Sequence, residues 1–146
     1  MKITVINGPN INLIGVREKE IYGSKCYEEI VVDIKKYGEK KGINVEVKQS
    51  NHEGVLIDWV QEAFYSQVDG VIINAGGYTH TSIALMDALK AIAPIPIIEV
   101  HLSDISKRET FRHHSYVSLA STKQIIGFGA EGYFMAIDEI IKCCSE

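Results

Sequence analysis

An α/β fold with a parallel sheet covered on both faces is what this sequence predicts, and three observations carry the prediction. Strand-like apolar runs alternate with stretches of helical period along the chain. The stretch from Val71 to Ser82 reads as strand, turn and helix start: an apolar run ends at Asn74, Gly76 and Gly77 permit a backbone path denied to other residues, and Thr79, Thr81 and Ser82 offer oxygens that can cap a helix. The length, 146 residues, is that of one ordinary domain, which buries roughly 70% of its unfolded surface.

Residues 3–6 are the first strand, and Asn7-Gly8-Pro9-Asn10 turns the chain out of it. Residues 11–24 show no clean period; Gly15, the charged cluster 17–20 and Tyr22-Gly23 give them the composition of a mobile functional loop. From 25 to 41 apolar residues fall at Cys26, Ile30, Val31, Ile34 and Tyr37, an amphipathic helix that Gly42 ends. Residues 43–47 alternate as a second strand. Ser50 and Glu53 have the spacing of a capping box that opens a helix to about residue 66. Asp69-Gly70 turns into the third strand, residues 71–74. The next helix, 82–93, is apolar on most sides, broken only by Asp87 and Lys90, so more than one of its faces must be covered.

Pro94 and Pro96 stop that helix and frame a fourth strand, residues 97–101, which ends in Glu99 and His101. Ser106 and Glu109 offer a second capping box for a short helical turn, residues 116–119 read as a fifth short strand, and Phe134, Ile137, Ile140 and Ile141 describe a last helix. Five strands in a chain of this size favour the flavodoxin-like doubly wound order 2-1-3-4-5 with right-handed crossovers. That order sets the ends of strands one, three and four side by side, so Asn10, Asn74 and His101 face one crevice at the edge where such sheets bind ligands. The expected unit is a single catalytic domain over 1–146.

Composition narrows the function. A net charge of -4 with 46% hydrophobic and 23% charged residues is that of a soluble globular protein and argues against nucleic acid or an anionic membrane as main partner. The first residues make a strand rather than a signal core, and no apolar run reaches membrane-spanning length. Cys26, Cys143 and Cys144 have no metal spacing, and an odd count argues against a disulfide framework. Reduced thiols point to the cytoplasm.

Among motifs, Gly127-Phe128-Gly129-Ala130-Glu131-Gly132 matches the dinucleotide pattern G-x-G-x-x-G, but no later strand brings a ribose-binding acid, so the match reads as a tight turn. The five histidines show no metal-ligand spacing. His101 stands apart because Glu99, two residues earlier on the same strand, points to the same face. A carboxylate there fixes the imidazole tautomer and raises its basicity, as a proton donor needs; the pair also fits a histidine satisfied in the core. Arg17 and Tyr22 share the loop. A phenol with a reference pKa of about 10 serves as a base near neutral pH only beside a cation, which Arg17 or Arg112 could supply; the same residues fit a surface pair.

Taken together, residues 7–18, Tyr22-Gly23, 49–54, 73–82, 99–103 and 108–113 resemble type II 3-dehydroquinate dehydratase, in family order and over nearly the full length. The resemblance implies a shikimate-pathway lyase that removes water from 3-dehydroquinate to give 3-dehydroshikimate through an enolate, without metal or organic cofactor. It implies Tyr22 as base with Arg17 assisting, Asn10 holding the enolate through a water, and His101, oriented by Glu99, as acid. For binding it implies Asn74, Leu102 and Ser103 at the carboxylate and its neighbouring hydroxyl, and His80 and Arg112 at the ring hydroxyls. Asp87 would reach a neighbouring subunit's site, in a dodecamer built as a tetramer of trimers. Ala75, Gly77 and Lys19 depart from the family's usual residues and bear on backbone rigidity rather than on the reacting groups. Two rivals stand beside this reading: a flavin- or phosphate-binding module of the same fold, and a dehydratase working through a lysine Schiff base.

Overall fold

Strands β1 (Lys2–Asn7), β2 (Asn44–Gln49), β3 (Gly70–Asn74), β4 (Ile97–His101) and β5 (Lys123–Ile126) form one parallel sheet, in the order β2-β1-β3-β4-β5, in the computed structural model of the chain, which describes residues 1–16 and 25–146. Helices α1 (Tyr27–Lys40), α2 (Glu53–Tyr65), α3 (Ile83–Ala91) and α4 (Glu131–Ser145) cover its two faces. The expected flavodoxin-like order is the one found.

The period of two along each strand divides the core. Ile3 and Val5 of β1, Ile72 of β3, and Ile98 and Val100 of β4 pack with Ile30 and Ile34 of α1 and Tyr133, Ala136, Ile137 and Ile140 of α4. Ile6, Val71, Ile73 and Ile97 point the other way, onto Leu56 and Val60 of α2 and Leu85 and Leu89 of α3. Each such side chain taken fully from water contributes about 1.5–3 kcal/mol before chain entropy is charged against it. The same alternation sends polar residues to opposite faces: Asn7 and Asn74 continue the first set, Glu99 and His101 the second.

Local chemistry departs from expectation at three places. Ser50 and Glu53 form no capping box: α2 is N-capped by His52 without a side-chain bond, and the Ser50 hydroxyl instead accepts the His52 N–H at 3.0 Å. Near the second proposed box, Asp104 does the capping, accepting the Ser106 N–H at 3.0 Å at the start of a 3-10 turn over Ile105–Lys107. Glu109 stands at the N-cap of the next 3-10 turn, Thr110–Arg112, without a side-chain capping bond, and its carboxylate pairs with Arg112. Residues 116–119 are not a strand, because Val117–Ala120 is a 3-10 turn and β5 comes later. There the Ser118 N–H donates to Ser115 Oγ at 3.2 Å and Ser118 Oγ donates to the Ser115 carbonyl at 2.7 Å. Side-chain bonds of this kind curl a backbone whose apolar alternation alone reads as extended. The helix expected over 82–93 starts as read, with Ser82 accepting the Leu85 N–H at 2.9 Å.

The glycine-rich motif is a turn between β5 and α4, with Gly127 and Gly129 at φ of 84° and 58°. Among the described residues no helix is long and apolar enough to cross a membrane.

Candidate active site

Two turns meet at the carboxyl edge of the sheet and fix the floor of the site. Asn7 and Asn74 are register partners at the ends of β1 and β3, and the Gly8 N–H donates to the Asn74 carbonyl at 2.8 Å. A side chain at Gly8 would run into the backbone of Ala75, and one at Gly76, itself at φ 58°, would stand 2.9 Å from the Pro9 carbonyl oxygen. The turns therefore touch backbone to backbone, which only glycine permits. Asn10 follows at φ 69°, a conformation its short amide tolerates, with its N–H bonded to Asn51 Oδ1 at 3.1 Å.

Above this floor lies a small open crevice. The turn after β1 contributes Pro9, Asn10 and Ile11, the turn after β3 Asn74, Gly76, Gly77 and His80, and the segment after β4 His101, Leu102, Ser103 and Arg108. The sequence-derived residues Asn10, Asn74, His80, His101, Leu102 and Ser103 thus share one cavity. Arg112 does not line it: its Nε donates to Glu109 at 2.6 Å and its guanidinium lies over the Phe111 ring. Asp87 is exposed on α3, away from this crevice. Arg17 and Tyr22 lie outside the described residues.

Glu99 is fully buried and His101 nearly so. Glu99 Oε1 meets His101 Nε2 at 2.5 Å and accepts from Ser115 Oγ at 2.5 Å, with Thr79 Oγ1 standing 2.9 Å away. Oε2 accepts from Nε2 of Gln124, the register partner of Glu99 on β5, at 2.8 Å. Burial works to raise the carboxyl pKa, but the bonds from His101, Ser115 and Gln124 and the charge of His101 together hold it below the usual carboxylate range. An ionised Glu99 takes the hydrogen of Nε2, so Nδ1 is left to exchange a proton with a ligand. His80 is the contrasting imidazole: burial pushes its pKa down, and Nδ1 lies 2.7 Å from the His114 carbonyl. It is neutral near pH 7, suited to hydrogen bonding rather than to carrying charge.

Buried acid–imidazole chemistry at the end of a parallel sheet is thus assembled from segments that run the length of the chain. Residues 1–141 match the dehydroquinase class II family. The chain belongs to that family. The 3-dehydroquinate dehydratase of Lachnospira eligens is 51% identical over 141 residues, covering 97% of this dehydroquinase and 96% of the relative. That of Clostridium acetobutylicum is 56% identical over 137 residues, 94% of each chain. The crystal structure of a type II dehydroquinase from Butyrivibrio crossotus superposes with a TM-score of 0.95 at 51% identity, over 97% of both chains.

Several residues that build the dehydroquinase site escaped the sequence reading. Thr79, Ser115 and Gln124 hold Glu99 but come from three separate segments, and no spacing announces them. Tyr133 reads as a core aromatic of α4, and it is that, yet its hydroxyl donates to Asn7 Oδ1 at 2.6 Å and accepts from Asn74 Nδ2 at 3.3 Å. With the Gly76 N–H on Oδ1, this orients the Asn74 amide. Burial drives the Tyr133 phenol pKa far up, so it stays protonated and serves as a fixed donor. Tyr133→Phe leaves two buried amides short of a partner and is expected to lower stability by about 1–3 kcal/mol, read by chemical denaturation. A loss under ~0.5 kcal/mol would mean that those amides find other partners.

Proposed function

We propose that this dehydroquinase removes water from 3-dehydroquinate to give 3-dehydroshikimate in the shikimate pathway, acting as a single catalytic domain over 1–146. The observation that carries the proposal is the ionised, buried Glu99 behind His101 at the mouth of the crevice, in a chain of this family. Tyr22, as phenolate with Arg17 assisting, takes the proton from the carbon next to the ketone. The electron pair moves onto the carbonyl oxygen, and Asn10 steadies the enolate through a bridging water. As the enolate collapses, a new C=C forms in conjugation with the ketone, and the β-hydroxyl leaves with a proton from His101 as water. Asn74, Leu102 and Ser103 hold the carboxylate and its neighbouring hydroxyl, while His80 and Arg112 take the ring hydroxyls. None of these steps calls on a metal or an organic cofactor, and among the described residues no cluster of His, Cys, Asp or Glu is placed to hold a metal.

Adding 3-dehydroquinate to the purified chain is expected to raise ultraviolet absorbance as the conjugated enone accumulates, and borohydride added with substrate is expected to leave the activity intact. No absorbance rise would overturn the function, and borohydride inactivation would hand the reaction to a lysine.

We further propose that the chain works in the cytoplasm as a dodecamer, a tetramer of trimers, with Asp87 reaching a neighbouring subunit's site. Within one chain α3 buries only the stripe of Leu85 and Leu89, leaving Ile83 half exposed beside Asp87, which supports a subunit on its outer face. Asp87→Ala is expected to weaken substrate affinity or the assembly; unchanged affinity together with an unchanged sedimentation profile would count against the cross-subunit role.

A further inference from the structure

His101 ends β4 and His80 sits in the turn after β3, yet one short segment is bonded both to His80 and to the carboxylate that holds His101. The His114 carbonyl takes the hydrogen bond from His80 Nδ1. The next residue, Ser115, is buried and donates its hydroxyl to the Glu99 oxygen that also holds His101. The Tyr116 N–H then donates to the Thr79 carbonyl at 2.8 Å, fastening the segment to the turn that carries His80. We infer that Ser115 is a positioning residue for the dehydration, holding His101 through Glu99 while the adjoining carbonyl holds His80, so that residues 114–116 set the two imidazoles against one another across the crevice. The inference rests on the reading of His101 as the acid.

Counting hydrogens gives Ser115 its particular place. Thr79 Oγ1, Ser115 Oγ and Glu99 Oε1 form a triangle with sides of 2.7, 2.5 and 2.9 Å. Two hydroxyls own two hydrogens, and an ionised carboxylate owns none. Thr79 donating to Ser115, and Ser115 to Glu99, uses both on the two short sides and leaves the longest side without one. Ser115 is then the hydroxyl that binds the carboxylate, with Thr79 polarising it from behind. Removing Ser115 frees Thr79 to donate directly, but from the longer side, so the carboxylate turns toward it and draws the His101 ring off its line to the crevice.

Among the described residues, the titratable or charged groups facing Glu99 are His101 on its own strand and His80 on the turn after β3, with Arg112 standing behind His80. Loss of a donor leaves the ionised form of Glu99 less favoured, so the group takes up a proton at higher pH. Ser115→Ala is therefore expected to lower kcat by about tenfold, the worth of one charge-assisted bond, with KM nearly unchanged and the acid limb of the kcat–pH profile moved to higher pH. Thr79→Val, which removes the far member of the relay, is expected to lower kcat by a smaller factor and move the acid limb the same way; it carries the test should Ser115→Ala fail to fold. A folded variant whose kcat and pH profile superimpose on the parent's would overturn the role of Ser115 alone. A parent chain that fails to dehydrate the substrate would bring down the functional reading first, and this inference with it.

Discussion

Tyr22→Phe is expected to cut turnover by ~10²–10⁴-fold, the usual contribution of a positioned general base, while substrate still binds. The change removes one oxygen and keeps the ring, so what it tests is the proton acceptor. The described lining of the crevice narrows the field: it contains no Asp, Glu, Lys or Tyr. Of its two imidazoles, His101 is assigned the acid's part on the proposed reading, and His80, whose Nδ1 is on a carbonyl, has Nε2 as the alternative acceptor. The amides of Asn10 and Asn74 are not bases at any pH the protein survives. On the proposed mechanism the acceptor is the Tyr22 phenolate, its ionised form favoured by the Arg17 guanidinium. Steady-state absorbance assays for kcat and calorimetry for substrate affinity separate the outcomes. Turnover close to the parent's would strip Tyr22 of the role and pass it to His80.

His101→Ala is expected to lower kcat by a similar ~10²–10⁴-fold through loss of the acid. The hydroxyl β to the ketone is a poor leaving group until protonated, and His101 is the ionisable crevice residue with a carboxylate behind it. A second consequence follows from burial. Without the imidazole, Glu99 keeps its charge in a fully buried place with one fewer donor, and stability is expected to drop on the order of 3 kcal/mol. Kinetics should therefore be taken well below the variant's melting temperature. A variant that loses only affinity, with kcat retained, would make His101 a binding residue.

Much of the fold was legible because the strands are nearly pure apolar runs and the helices are amphipathic; Ile72 and Ile98 leave little choice of partner. What misled was short-range polar chemistry. Ser50 and Ser106 each find a nearer backbone or carboxylate partner than the pattern assigns them, and β5 is an edge strand whose Lys123-Gln124 start reads as polar. In the site, the residues at strand ends were found from strand order alone. The groups behind them, Thr79, Ser115, Gln124 and Tyr133, could not be found that way: each meets its partner across 16 to 126 positions of sequence, and only folding reveals the distance.

Because Asn7 and Asn74 hang from one face of the sheet and Glu99 and His101 from the other, the proposed function would anchor the grip on the ligand and the proton machinery in different hydrophobic layers. Drift in the layer that carries Tyr133 would retune which ring is held, and drift beside Val117 would retune how fast a proton moves. A lineage could thus alter preference and speed separately, by changes far from the cavity, with every residue that meets the ligand left as it stands.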